Sequence, residues 1–231
     1  MNIICRALTL DEFRRYARNY DFGKVKPNML VIHHTWRPTK QEWKGERSIQ
    51  GLKNYYEQKG WKAGPHIFCS DDAIWLFTPM NEVGIHAGSG NSTYKWGKLI
   101  GYSIGIEVVG DYDVEHWTGK TYENALGVIK ELTSLLNVPT EDVRFHRDFN
   151  SGKSCPGHAI TKEWLFQELA KIDTEGKPIH PPTEVSPWAL DGWLWQKELG
   201  LDLSISPHTK VEAEWVFAIL KKLSDINSHK A

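Results

Sequence analysis

Apolar residues along the chain switch between helical and strand-like spacing, and each switch marks an element. Thr9 and Glu12 form a capping-box pattern that opens a short amphipathic helix through Phe13 and Tyr16. The continuous apolar run Met29, Leu30, Val31, Ile32 ends in His33 and His34, which predicts a buried strand with polar residues at its C-terminal tip. Ile49, Leu52 and Tyr56 recur at helical intervals before Gly60. The runs 66–69 and 74–77 flank Ser70, Asp71, Asp72 and Ala73 and predict a hairpin. A Gly-, Ser- and Asn-rich stretch over 84–97 reads as a loop, and 102–109 as a further strand between Gly101 and Gly110. Ala125, Val128, Ile129, Leu132, Leu135 and Leu136 form a helical stripe stopped by Asn137 and Pro139. A short strand over 143–146 and a helix near 162–171 complete the pattern.

Strands and helices alternate with a hairpin among them. The expected fold class is α/β, a mixed central β-sheet flanked by helices, spanning residues 1–173. Gly176, Pro178, Pro181 and Pro182 mark 174–186 as a linker. Beyond it, 187–231 reads as a small helical module. Pro187 opens one helix with Trp188, Trp195 and Leu199 on a face, and a Thr209/Glu212 capping box opens a second through Trp215, Ile219 and Leu223.

Composition narrows the function. The formal net charge of −1 supplies no basic field for nucleic acid or an anionic bilayer, so neither partner is expected. No run of about 18 apolar residues occurs, which argues against membrane insertion. The first twenty residues lack an apolar stretch and cleavage site of the signal-peptide kind, so the expectation is a chain made in the cytoplasm. Cys5, Cys69 and Cys155 are odd in number and widely spaced, which suits a reducing compartment rather than a disulfide framework. Eleven tryptophans lean towards a saccharide substrate, although each also serves ordinary core packing.

Candidate chemistry gathers at strand ends and loops. His33, His34, His146 and Cys155 are the residue types that bind zinc, and a catalytic zinc site needs three protein ligands plus an open position. Histidines at strand ends are more often structural, so spacing alone leaves the ligand set open. The pattern His-x-Glu followed by Pro-Cys-x-x-Cys is absent, which excludes zinc nucleobase deaminases.

Four segments, in order, carry a resemblance. Val31-Ile32-His33-His34-Thr35, Ile85-His86-Ala87-Gly88, Tyr102-Ser103-Ile104-Gly105-Ile106-Glu107, and Phe145-His146-Arg147-Asp148 through Lys153-Ser154-Cys155-Pro156-Gly157 are similar to the motifs of type 2 N-acetylmuramoyl-L-alanine amidases, phage lysins among them. The resemblance covers roughly 25–172 and implies the amidase/peptidoglycan-recognition fold and a Zn2+ cofactor. It implies His33, His146 and Cys155 as metal ligands, Glu107 as general base and Lys153 as oxyanion stabiliser. His86, Thr35 and Trp36 would line the substrate groove, and His66 would lie behind the ligands. His34 is left aside, because neighbouring strand residues point to opposite faces. One departure stands out: some phage members carry a tyrosine just before the histidine matching His66, where this chain has Pro65.

The implied reaction is hydrolysis of the amide between N-acetylmuramic acid and L-alanine in peptidoglycan, by a phage or prophage endolysin reaching the wall after holin-assisted release. The C-terminal module resembles a single S-layer-homology-type unit, which implies wall binding; two docked helices or an oligomerisation element are the other readings. Competing functions are a non-catalytic peptidoglycan-binding protein, which Cys155 argues against, and a cytoplasmic wall-recycling amidase.

Overall fold

The computed structural model describes residues 2–172. The expected linker and C-terminal module lie outside the described residues. In chain order the elements are β1 (Arg6–Leu8), α1 (Leu10–Arg18), β2 (Pro27–His34), α2 (Glu46–Gln58), β3 (Ile67–Cys69), β4 (Ile74–Leu76), β5 (Ser92–Lys95), β6 (Lys98–Val108), α3 (Gly119–Leu136), β7 (Val143–Phe145) and α4 (Lys162–Ala170).

The strands form one seven-stranded sheet in the order β1-β4-β3-β6-β2-β7, with β5 added against the early part of β6. The β3-β6, β6-β2 and β2-β7 pairs are parallel, while β1-β4, β4-β3 and β5-β6 are antiparallel. This is the mixed sheet that the alternation of elements predicts.

Strand alternation sorts the two faces. Leu30 and Ile32 of β2, Ile104, Ile106 and Val108 of β6, Ile67 of β3 and Phe145 of β7 enter one core with Phe13 of α1 and Ala125, Val128, Ile129 and Leu132 of α3. Burying each such aliphatic or aromatic side chain contributes roughly 1.5–3 kcal/mol. Thr9 caps α1 through its hydroxyl, and Glu12 returns the bond to the Thr9 amide at 2.8 Å. Arg18 of α1 holds Glu131 of α3 with two bonds of 2.7 and 2.9 Å. The Asp71 carboxylate, in the β3-β4 turn, accepts from the Thr121 amide and hydroxyl, both at 2.7 Å, and so caps the first turn of α3. Asn137 ends α3 in the left-handed region, at φ 52°, where the sequence expects a stop.

Two elements differ from expectation. β1 carries no sequence signal, being three residues long with Arg6 and Ala7 exposed. The stretch 84–97, expected as a loop, contains β5, and β6 begins at Lys98. Tyr94, Lys95, Lys98 and Ile100 of that hairpin are exposed, so no buried face imposes alternation on its residues.

Candidate metal centre and active-site cleft

The second sheet face is only partly covered. Ile49, Leu52 and Tyr56 of α2 pack there with Phe68, Trp75, Phe77 and Val109. Beyond them, at the C-terminal ends of β2 and β6, a cleft of about 600 Å³ opens. His33 of β2 and Glu107 of β6 are register partners whose side chains both point into it, with Nδ1 and Oε1 4.0 Å apart. Glu107 Oε2 is buried with no hydrogen-bond partner among the described residues. Burial pushes the Glu107 carboxyl up to about 8. The His33 imidazole is held well below its usual range, first by burial and then by His86, His146 and His34 nearby.

β7 delivers the next group. Its last residue, Phe145, leads into a 3-10 turn over His146–Asp148, closed by the Asp148 carboxylate accepting from the Phe145 amide at 3.0 Å. That turn aims His146 Nδ1 at His33 Nδ1, 3.1 Å away. The chain then loops back to bring Cys155 Sγ to the β2 end, where it accepts from the His34 amide at 3.2 Å. Arg147 organises this loop. Its guanidinium donates to the carbonyls of Ser154, Gly157 and Ile160 at 3.0, 2.8 and 2.6 Å, and its amide donates to the Cys155 carbonyl at 3.1 Å. Gly157 sits at φ +110°, and a Cβ there would lie 2.2 Å from the Tyr112 carbonyl oxygen, so no larger residue fits.

Ligand atoms of His33, His146 and Cys155 all lie within 4.8 Å of one another. The donor set suits a metal ion. Two imidazole nitrogens face each other with a thiol sulfur beside them, and a buried carboxylate oxygen stands bare in the same cleft. Burial pushes the Cys155 thiol up, and Glu107 adds to this, while the His34 amide, Lys153 and Arg147 pull the other way. A thiolate in such a place needs a cation. Two nitrogens and one sulfur are borderline-soft donors of the kind zinc takes.

The other expected residues spread around this centre. Lys153 is exposed on the cleft wall and lowers His146 after burial has done most of the work. Trp36, 58% exposed at the mouth, holds a left-handed φ of 54°; a large non-glycine residue in that region is strained, and such strain gathers at working sites. The Thr35 hydroxyl donates to the Pro38 carbonyl at 2.7 Å and accepts from the Gly110 amide at 2.9 Å, bracing the loop beneath Trp36. His86 lines the cleft with its ring between His33 and Ser103. His34 Nδ1 accepts from the Tyr112 amide at 3.2 Å. His34 also lies near Asp111 and Asp113, but with Nδ1 so engaged and Asp113 Oδ1 taken by the His158 amide at 3.1 Å, that group is committed to holding the loop. His66 is fully buried; its Nδ1 accepts from the Gly105 amide and its Nε2–H donates to the Glu82 carbonyl, both at 2.9 Å.

Sequence reasoning missed several groups. Tyr56 and Trp61 reach the cleft wall from α2 and the segment after it, stacked at 5.3 Å. Helical spacing marks Tyr56 as core, and nothing local marks Trp61. Arg147 and Ser103 lie inside the resembling segments, but their residue types alone assign them no role. The small residues Ser103 and Gly105, alternating with Ile104 and Ile106, are a signal that something packs closely on that face of β6.

Fold and donor set together define an α/β protein whose central parallel strands present a candidate mononuclear metal site to an open cleft. The chain belongs to the N-acetylmuramoyl-L-alanine amidase family, whose pattern residues 23–158 match. It is similar to N-acetylmuramoyl-L-alanine amidase CwlH of Bacillus subtilis (strain 168), 28% identical over 165 residues, covering 71% of this chain and 58% of that protein. N-acetylmuramoyl-L-alanine amidase XlyA of the same organism is 34% identical over 140 residues, covering 61% and 43%. The chain thus spans about half the length of these curated relatives. Among solved structures, N-acetylmuramoyl-L-alanine amidase LysC from Clostridium intestinale URNW superposes with a TM-score of 0.51 at 25% identity, covering 65% of this chain and 93% of that one.

Proposed function

We propose that this protein is a zinc-dependent N-acetylmuramoyl-L-alanine amidase that hydrolyses the amide joining the lactyl group of N-acetylmuramic acid to L-alanine in peptidoglycan, acting as a phage or prophage endolysin. The observation that carries the reading is the convergence of His33, His146 and Cys155 beside the bare Glu107 carboxylate, in a chain of this family. These three residues would hold the zinc. When bound, the ion supplies Lewis-acid polarisation of a carbonyl and lowers the pKa of water to about 7.

The chain's own groups then divide the work. Glu107 takes a proton from the attacking water and passes it to the departing L-alanine nitrogen. Its burial holds its proton affinity near neutrality, which suits a group that must both accept and donate. Lys153, on the cleft wall, places a cation where negative charge grows on the former carbonyl oxygen. Trp36 offers an exposed ring at the mouth for a sugar face, while Thr35 fixes its loop and His86 forms part of the wall. Among the described residues no helix is long and apolar enough to cross a membrane. As an endolysin the protein would reach the wall through a separate holin.

Digestion of purified cell walls tests this reading. Mass spectrometry should find free L-alanine amino termini with no new reducing sugar ends. New reducing ends, or no solubilised wall, would reject it.

A further inference from the structure

A chain of hydrogen bonds behind His33 has a direction that elementary chemistry determines. Ser103 Oγ lies 2.6 Å from the Gly90 carbonyl oxygen. A carbonyl oxygen only accepts, so the serine proton is committed there. Ser103 Oγ also lies 3.3 Å from His86 Nε2, and in that contact it must accept from His86 Nε2–H. A neutral His86 therefore carries its lone pair on Nδ1, which is 3.0 Å from His33 Nε2. His33 Nε2–H donates to it. What remains on His33 is a lone pair at Nδ1, the atom facing His146 and Glu107.

The surroundings hold this relay in place. A Cβ on Gly105 would sit 2.6 Å from His86 Cγ, so the glycine on β6 is what lets the ring lie flat against the strand. Asn91 Oδ1 accepts from the amides of His86 and Ala87 at 3.0 and 2.6 Å and fixes the backbone that carries the ring. His66 meets His86 edge-on at 5.6 Å, closing the side away from the cleft.

We propose that His86 and Ser103 are positioning residues that lock His33 in its Nε2–H tautomer and so present the Nδ1 lone pair to the metal. Metal-bound histidines commonly donate their second nitrogen to a carboxylate or carbonyl; here an imidazole backed by a hydroxyl takes that place. The inference rests on the metal-centre reading above, and its test separates the two.

The whole chain carrying His86→Phe, His86→Gln or Ser103→Ala would be compared with wild type. The readouts are long-range proton–nitrogen NMR spectra of the imidazoles in metal-free protein and zinc affinity by competition with a chromophoric chelator. Wild type should show His33 as the Nε2–H form. His86→Phe should release that preference and weaken zinc about 10–100-fold, the usual cost of losing such a partner. His86→Gln, which keeps an acceptor, should recover most of the affinity, and Ser103→Ala should fall between, all with unchanged circular dichroism. An Nδ1–H His33 in wild type, or His86→Phe with tautomer and affinity intact, would overturn the proposal. If wild type bound no zinc, the metal reading would fail, while the tautomer spectrum would still decide the relay.

Discussion

His33 and Glu107 occupy one rung of the central parallel pair, and their facing atoms lie 4.0 Å apart. The proposed ligand and the proposed general base thus share one strand register. Glu107→Gln preserves shape while removing the proton acceptor. It should keep zinc and lose about 10²–10⁴-fold in turnover. Wall-lysis rate set beside metal content checks this, and an active Gln variant would remove Glu107 from the mechanism.

Cys155→Ser exchanges a soft donor for a hard, poorly ionising one at a buried site. Wild type should purify with about one zinc per chain, as a single site of this kind demands. The variant should lose both metal and lysis, and chelation of wild type should abolish lysis until zinc is restored. Elemental analysis on matched samples decides it. Lysis that survives complete zinc removal would refute the metal dependence.

Lys153 is exposed, so replacing it should not disturb folding. Lys153→Met should lower kcat about 10²-fold, as removal of an oxyanion partner does, with zinc content and KM little changed. Lys153→Arg should recover part of the rate. A raised KM at constant kcat would instead make Lys153 a substrate-binding group.

His66 predicts an acid limb to stability. Burial holds its imidazole down to about 4, against about 6.5 for an unperturbed histidine. The unfolded chain therefore binds the extra proton between those values. The stability His66 contributes is whole above about 6.5 and is lost as pH falls towards about 4, with a slope of at most about 1.4 kcal/mol per unit from this group. His66→Gln offers an acceptor and a donor like those used by Gly105 and Glu82, yet does not titrate over this range. Denaturant unfolding across that window should be flatter in the variant. An identical slope would show that His66 is not the responsible group.

Much of this was readable in the linear chain. The apolar run at Met29, Leu30, Val31 and Ile32 had to be a buried strand, because β6 and β7 flank it and both its faces are covered. The α3 stripe was equally plain, since Val128, Ile129 and Leu132 all face one core. His33 ends β2, His146 follows β7 and Cys155 lies in a loop, so spacing left the candidate ligand set open until the four-motif resemblance joined them. What escaped were groups whose meaning depends on distant partners. Ser103 acquires a role only because Gly90 takes its proton and His86 lies across it. Arg147 matters because three carbonyls from the following loop turn towards it. β1 and β5 escaped for the opposite reason: Arg6, Tyr94 and Lys95 bury too little surface to leave a pattern.

The alternation along β6 also constrains how such a protein can vary. Ile104, Ile106 and Val108 face the helices, while Ser103 and Gly105 lie against the His86 ring and Glu107 lines the cleft, so one inserted or deleted residue between Tyr102 and Glu107 would exchange the two sets at once. The carboxylate would be driven into oil, and isoleucine would meet the imidazoles. A change of length within β6 is therefore far more disruptive than a replacement in place.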